Sequence, residues 1–293
     1  MVKKLETPIS IHQVGVLILG FNRPELLKKR INEISKSRLE NLYISIDGGG
    51  KSHTKEMDLV KQYAQEKFSM LQCFNLNHHK SNLGLDRHIT GEISKVLDKH
   101  QYIIVIEDDV IISDNFINNM IDGLNIHKRY GSTGIVSGFS PLHFKYLKNK
   151  WRISSYPYIW GWACSRAVWQ NYEYDLAKID FEQKLRHSKS WSNLKPSQKE
   201  KWLALFKKAH TNSQDTWDSR LVFLSYRKDF INLAPIFSVV GNEGFNDLRA
   251  IHTKGKKPRF VTISNLNHQI FTKKSKYFNK IYNLIDNYFM NDF

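Results

Sequence analysis

Cysteine is nearly missing from this chain: Cys73 and Cys164 are the only two among 293 residues. That excludes a disulfide scaffold and a cysteine-built zinc site, and it suits a reducing compartment. No apolar run approaches the roughly 18 residues that a membrane-spanning helix needs. The opening Met1-Val2-Lys3-Lys4 resembles the basic start of a signal peptide only briefly. Glu6, Pro8, His12 and Gln13 interrupt it, and Val14 to Leu19 is too short for a signal core. A cytoplasmic location is the expectation. No GxxxxGK[ST] or GxGxxG pattern occurs, which counts against P-loop and Rossmann dinucleotide binding. The histidines show no HExxH spacing, and His78-His79 reads as a polar loop pair. Internal repeats and low-complexity linkers are absent. Acidic residues are in deficit: 28 Asp+Glu against 44 Lys+Arg leaves a net charge of +16. Such a surplus attracts nucleic acid, anionic membrane or phosphorylated substrates without choosing among them. A basic surface, in a composition heavy in Lys, Asn and Ile, accounts for it too.

What is present argues for a folded α/β chain. Apolar residues make up 41% and aromatics 13%, too many for a disordered chain. Val14 to Gly20 is an apolar run of strand length. Pro24 suits the first turn of a helix, with Leu26, Leu27, Ile31 and Ile34 following at helical spacing. Leu42 to Ile46 reads as a second strand ending at Asp47-Gly48-Gly49-Gly50. Met57, Val60, Tyr63 and Ala64 suggest a second helix. Leu71 to Leu76 alternates like a strand, and Leu85 to Leu97 has a helical apolar face. Tyr102 to Ile106 is the strongest strand and runs straight into Glu107-Asp108-Asp109. This alternation predicts a mainly parallel sheet with helices on both faces, whose ligands bind at the carboxyl ends of the strands. The second half is less regular. Its Lys-rich stretch near 182–201 is expected as a surface helix or loop, Phe230 to Val240 as a strand, and Gly241 to Phe245 as a turn.

Several residues carry chemistry. Three consecutive carboxylates after a buried strand repel each other, and a divalent magnesium or manganese ion would relieve that. Continued strand alternation would put Glu107 and Asp109 on one face and Asp108 on the other. A solvated acidic turn is the plain alternative. Asp218, in Asp215-Thr216-Trp217-Asp218, sits beside a large aromatic that can desolvate it and make it a better base; a helix cap or surface residue has the same appearance. Trp160-Gly161-Trp162 is either a stacking platform or core. Asp47-Gly48-Gly49-Gly50 is either a close-approach ligand loop or a flexible turn.

Taken together, Ile18-Leu19-Gly20-Phe21-Asn22-Arg23-Pro24, Ile44-Ser45-Ile46-Asp47-Gly48, Asn82-Leu83-Gly84-Leu85-Asp86-Arg87-His88 and Val105-Ile106-Glu107-Asp108-Asp109 follow the order of a GT-A glycosyltransferase. More narrowly, the chain resembles the N-acetylglucosaminyltransferase I-like group and its bacterial sugar-transferase relatives over about residues 14 to 253. Trp160-Gly161-Trp162, Thr216-Trp217-Asp218 and Gly241-Asn242-Glu243-Gly244-Phe245 fit the same group. The resemblance implies a GT-A type, Rossmann-like nucleotide-diphospho-sugar transferase fold. It implies that Arg23 meets the donor near its phosphates, that Asp47 reads the uracil, and that His88 lies on the nucleotide side. Glu107 and Asp108 would hold the nucleotide sugar, Asp109 the metal, Mn2+ or Mg2+, and Asp218 would be the catalytic base. Trp160, Gly161, Trp162, Trp217 and Asn242 are candidate acceptor or donor contacts, with Ser238 a looser match near the diphosphate. Ser219-Arg220 departs from the more aromatic continuation of that group.

The expectation is therefore a metal-dependent inverting enzyme. It would move a sugar from a UDP-sugar to a glycan or lipid-linked acceptor, in bacterial surface-polysaccharide or lipooligosaccharide assembly. One catalytic domain would span 1–265, with a nucleotide-sugar half at about 12–110 and an acceptor half at 111–265. A basic amphipathic tail, 266–293, would lie on an anionic membrane surface, making the protein peripheral on its inner face, or dock on the domain. A sugar-phosphate nucleotidyltransferase is one alternative. A non-enzymatic basic nucleic-acid-binding protein is the other, disfavoured because the acidic triplet repels phosphates.

Overall fold

The computed structural model of the chain describes residues 7–141, 151–174, 179–211 and 217–246. The expected tail at 266–293, and Asp215 and Thr216, lie outside the described residues. The chain begins with β1 (Val14–Gly20), α1 (Pro24–Ile34), β2 (Asn41–Ile46), α2 (Lys55–Lys67), β3 (Cys73–His78), α3 (Leu85–Lys99) and β4 (Tyr102–Glu107). It continues with β5 (Val110–Ile112), α4 (Phe116–Tyr130), β6 (Val136–Ser137), β7 (Trp151–Ser154), β8 (Trp162–Ser165) and α5 (Arg166–Trp169). Then come α6 (Phe181–Leu185), α7 (Lys189–Ser192), α8 (Pro196–Thr211), α9 (Trp217–Arg227), β9 (Asn232–Pro235) and β10 (Val240–Asn242).

The fold is α/β, with an eight-stranded sheet in the order β3-β2-β1-β4-β8-β6-β9-β7. Strands β3, β2, β1 and β4 are parallel, while β8 and β7 enter antiparallel. The apolar runs of β1 and β4 follow from burial on both sides. Val16, Ile18, Ile104 and Ile106 pack into one core with α1, α2 and α4. Leu17, Leu19, Ile103 and Val105 pack into the opposite core with α3, α5 and α9. A strand covered on both faces has no polar side to alternate with.

The chain runs outward from β1 through β2 to β3, then crosses back to place β4 on the other side of β1. The carboxyl ends of β1 and β4 therefore flank the point where the winding reverses, the place such sheets leave a crevice.

The second half differs from expectation in two places. The Lys-rich stretch is a helical layer with its own core, because Phe181, Leu185, Trp191, Leu194, Trp202 and Phe206 turn inward against Phe223 and Tyr226 of α9. The expected strand at 230–240 is split. β9 joins the large sheet, while β10 pairs antiparallel with β5, Asn242 opposite Val110. The expected turn at 241–245 begins inside β10 and ends in a 3-10 turn, Gly244–Asn246. No helix among the described residues is long and apolar enough to cross a membrane.

Candidate functional site

Arg23 caps the amino end of α1 directly after β1, with Pro24 at the first helical position. Across the β1–β4 crevice its Nε donates to Asp108 Oδ2 at 3.2 Å and its Nη1 to Asp109 Oδ2 at 3.1 Å, while its Nη2 meets Asp108 Oδ1. The backbone turns after Glu107 instead of continuing as a strand. The expected alternation of the triplet therefore fails, and Asp108 and Asp109 converge on one guanidinium. Asp108 and Asp109 are both buried. Burial works against the Arg23 charge, but the two carboxylates outweigh it and hold the guanidinium charged above its ordinary range. Burial also pushes Asp108 up to about 6, against the pull of Arg23 and with added repulsion from Asp109. Glu107 is pushed up to about 8 by burial, then by Asp109, Asp108 and Asp218. The crevice thus concentrates more negative charge than one arginine neutralises.

Asn242 closes this cluster from the far end of the chain. Its Nδ2 reaches Asp109 Oδ1 at 3.5 Å, its Oδ1 accepts from Gly244 N at 2.7 Å, and Glu243 N donates to the Asp109 carbonyl at 2.9 Å. Glu243 in turn pairs with Lys29 and with the fully buried Arg30 of α1, each at 2.9 Å. Arg30 also holds Glu33 at 3.0 Å, and Glu33 accepts from the amide of Ile112 on β5. This second ionic layer escaped the sequence reading. Its signal was there: Arg30 falls among Leu26, Leu27, Ile31 and Ile34 on the apolar face of α1, where a charge needs a reason.

Asp47 ends β2 beside β1, its amide bonded to the Gly20 carbonyl at 2.9 Å. Its Oδ1 accepts from the amides of Gly48 and Leu83, both at 2.8 Å. Gly48 is required here, because a Cβ would stand 2.3 Å from the His79 carbonyl oxygen and 2.4 Å from that of Ser81. The loop 82–84 is thereby pinned to Asp47. His88, in the first turns of α3, is buried and bonds Ser45 Oγ through Nε2 at 2.9 Å. Burial pulls it down to about 4, so it is neutral near pH 7. It supports β2 from beneath and presents no open face.

Asp218 lies in the first turn of α9, with its Oδ1 accepting from Ser219 N at 2.6 Å. Its charge is felt at Glu107, at Tyr156 and at Tyr172.

The aromatic candidates separate. Trp160 keeps partial exposure between Phe139 at 4.5 Å and Phe245 at 5.5 Å, measured between ring centroids. Gly161, at φ +54°, lets the chain turn beneath it. Trp162 and Trp217 are corrected to core residues. They are 0% and 3% exposed, stacked on each other at 6.0 Å, and have no face left for a ligand. Ser238 is likewise fully buried, its hydroxyl donating to the Val240 carbonyl at 2.7 Å.

The residues brought together are thus Arg23, Asp108, Asp109 and Asn242, with Asp47 after β2 on one side of β1 and Glu107 at the end of β4 on the other. Among the described residues no three His, Cys, Asp or Glu side chains are arranged to enclose a metal ion. The donor set is nonetheless hard oxygen, and Mg2+-like ions bind through one or two carboxylates plus substrate phosphates.

No protein-family model matches the chain, and no curated protein matches it. Solved structures do. A mannosyltransferase from Pyrobaculum calidifontis, solved with GDP-Man and Mn2+, is 12% identical with a TM-score of 0.42 over 59% of this chain. The match spans about half of that protein, 51%. A UDP-glucose pyrophosphorylase complexed with UDP-glucose is 10% identical with a TM-score of 0.39, over 76% of this chain and 90% of that one. The glycosyltransferase GlyE of Streptococcus pneumoniae is 10% identical with a TM-score of 0.33, over 74% and 45%.

Proposed function

We propose that this chain is a metal-dependent inverting glycosyltransferase of the GT-A type that uses a UDP-sugar donor. The observation that carries the reading is the convergence of Arg23, Asp108 and Asp109 across the point where the parallel strands reverse. A diphosphate belongs there electrostatically only with a cation to offset the carboxylates. Mn2+ or Mg2+ held by Asp109 would supply charge stabilisation to the departing UDP. Arg23, already in the crevice, would exchange part of its carboxylate contact for a phosphate oxygen.

Asp47 supports uridine as the nucleoside. Two backbone amides fix its Oδ1, leaving Oδ2 to accept from the N3–H of a uracil. Cytosine carries no hydrogen at that nitrogen and would be rejected. Asp218, whose charge reaches Glu107, would take the proton of an acceptor hydroxyl as it attacks the anomeric carbon. Trp160 and Phe245 offer a partly exposed aromatic wall for a sugar ring. The acceptor is read as a glycan or lipid-linked sugar at a bacterial membrane surface, in keeping with the net charge of +16.

The test is calorimetric titration of UDP and UDP-sugars with Mn2+ and with chelator, followed by measurement of UDP release. Binding should need Mn2+, disappear in Asp109→Ala and persist in Asp218→Asn. The transfer rate of Asp218→Asn should fall on the order of 10²- to 10⁴-fold. A folded protein that binds no uridine nucleotide refutes the reading. Release of pyrophosphate from UTP and a sugar 1-phosphate would make it a nucleotidyltransferase instead.

A further inference from the structure

Ser219-Arg220, the departure that stood out in the sequence, follows Asp218 directly on α9. Arg220 is 3% exposed and points inward with Trp217, Leu221 and Leu224. Its Nη1 donates to Asp86 Oδ2 at 2.7 Å, and Asp86, in the first turn of α3, is 7% exposed. Arg220 Nε is buried and meets no acceptor. Beside this pair the Tyr172 hydroxyl donates to the Trp217 carbonyl at 3.1 Å, tying the first turn of α9 to the segment after α5.

A buried ion pair is a poor stabiliser. Its desolvation offsets its attraction, and apolar residues of similar volume often do as well or better. What a buried pair does supply is a constraint: its charge-assisted hydrogen bond, here Nη1 to Oδ2, holds only at one separation of the two turns. The two ends of this pair are informative in that respect. Asp86 sits in the turn that follows the loop pinned to Asp47 through the Leu83 amide, and two residues before His88, which bonds Ser45. Arg220 sits two residues after Asp218.

We propose that the Asp86–Arg220 pair is a positioning strut that sets the distance between the nucleoside-binding turn and the base-bearing turn of α9. The proposal rests on the donor and base assignments made above. Neither residue touches substrate. The pair acts through Asp218, holding its carboxylate at the reach an attacking hydroxyl requires. Displacing a catalytic group by about 1 Å lowers a rate on the order of 10²-fold.

The experiment replaces both charges at once, as Asp86→Leu with Arg220→Met, so that no buried charge is left alone. Arg220→Lys is made in parallel; it keeps the charge but gives up the planar fork. UDP affinity is measured by calorimetry with Mn2+. The turnover of UDP-sugar is followed as UDP release, with water as acceptor. The strut predicts UDP affinity within about twofold of the native value and kcat down tenfold or more in the double variant. Arg220→Lys should fall between native and double variant. Unchanged kcat in a folded double variant overturns the proposal. So does a parallel loss of UDP affinity and kcat, which would make the pair part of donor binding. If the double variant does not fold, Arg220→Lys decides by the same two readings. Native protein that binds no UDP and releases none from UDP-sugars takes down the donor assignment first, and the strut with it.

Discussion

Arg23→Met removes the cation from a buried carboxylate cluster while keeping its aliphatic volume. Asp108 and Asp109, 2% and 8% exposed, would then face each other with no guanidinium within hydrogen-bond reach. Removing one partner of a buried ion pair is typically worth about 3–5 kcal/mol of destabilisation. For a chain this long that shifts the thermal midpoint on the order of 10 °C. The loss must depend on pH, with a definite sign. Asp108 in the folded protein is raised to about 6. Between about pH 4 and that value the folded state keeps a proton that the unfolded chain has released, so stability falls as pH rises. Glu107, raised to about 8, extends the same slope toward neutrality. Without Arg23 both values move further up. Native and variant should therefore lie closer together near pH 5 and separate through pH 6 to 8. The assay is thermal unfolding of both proteins from pH 5 to 8.5 in one salt concentration. A variant that tracks the native midpoint across this range would refute the idea that Arg23 neutralises the cluster.

Two further pairs of substitutions test other parts of the site. Gly48→Ala puts a methyl against two backbone carbonyls, an overpacking worth about 1–3 kcal/mol. It should weaken UDP binding about tenfold by moving the amides that hold Asp47, whereas Gly50→Ala, with open space around it, should bind as the native protein does. Trp162→Ala should lower stability by about 3–5 kcal/mol in denaturant unfolding, and Trp160→Ala by clearly less; equal losses would contradict the separation of the two rings into core and wall.

The parallel half was legible because its signals are local. β1, α1, β2 and β4 fall where runs of apolar residues, Pro24 and Asp47-Gly48 put them, since strands covered on both faces carry continuous apolar sequence. The second half was not. Its elements are short, and Trp191, Trp202 and Phe206 lie among lysines, so burial there depends on neighbours far along the chain. Arg23, Asp47, Asp108, Asp109 and Asn242 were singled out from motif order, and the structure brings them to one end of the sheet. For Trp162 and Trp217 the sequence left core and contact both open, because a short aromatic motif looks the same in a core and in a cleft. Arg30 was overlooked, and Arg220 was noted only as a departure from the motif, because their partners, Glu243 and Asp86, lie more than a hundred positions away.

That separation governs how the site comes into being. Strands β1 to β4 are complete by residue 107, and Arg23 can meet Asp108 and Asp109 as soon as the next turn forms. The contacts that finish the crevice join Asp86 to Arg220, Asp109 to Asn242 and Arg30 to Glu243, spans of 134, 133 and 213 residues. Each needs a large loop to close before it returns any stabilisation, which makes such contacts slow to form. During synthesis strands β1 to β4 would therefore stand assembled while the second ionic layer and α9 were still being made. On the proposed reading, competence to bind a donor would wait for β10 and the contacts it brings to Asp109 and Arg30.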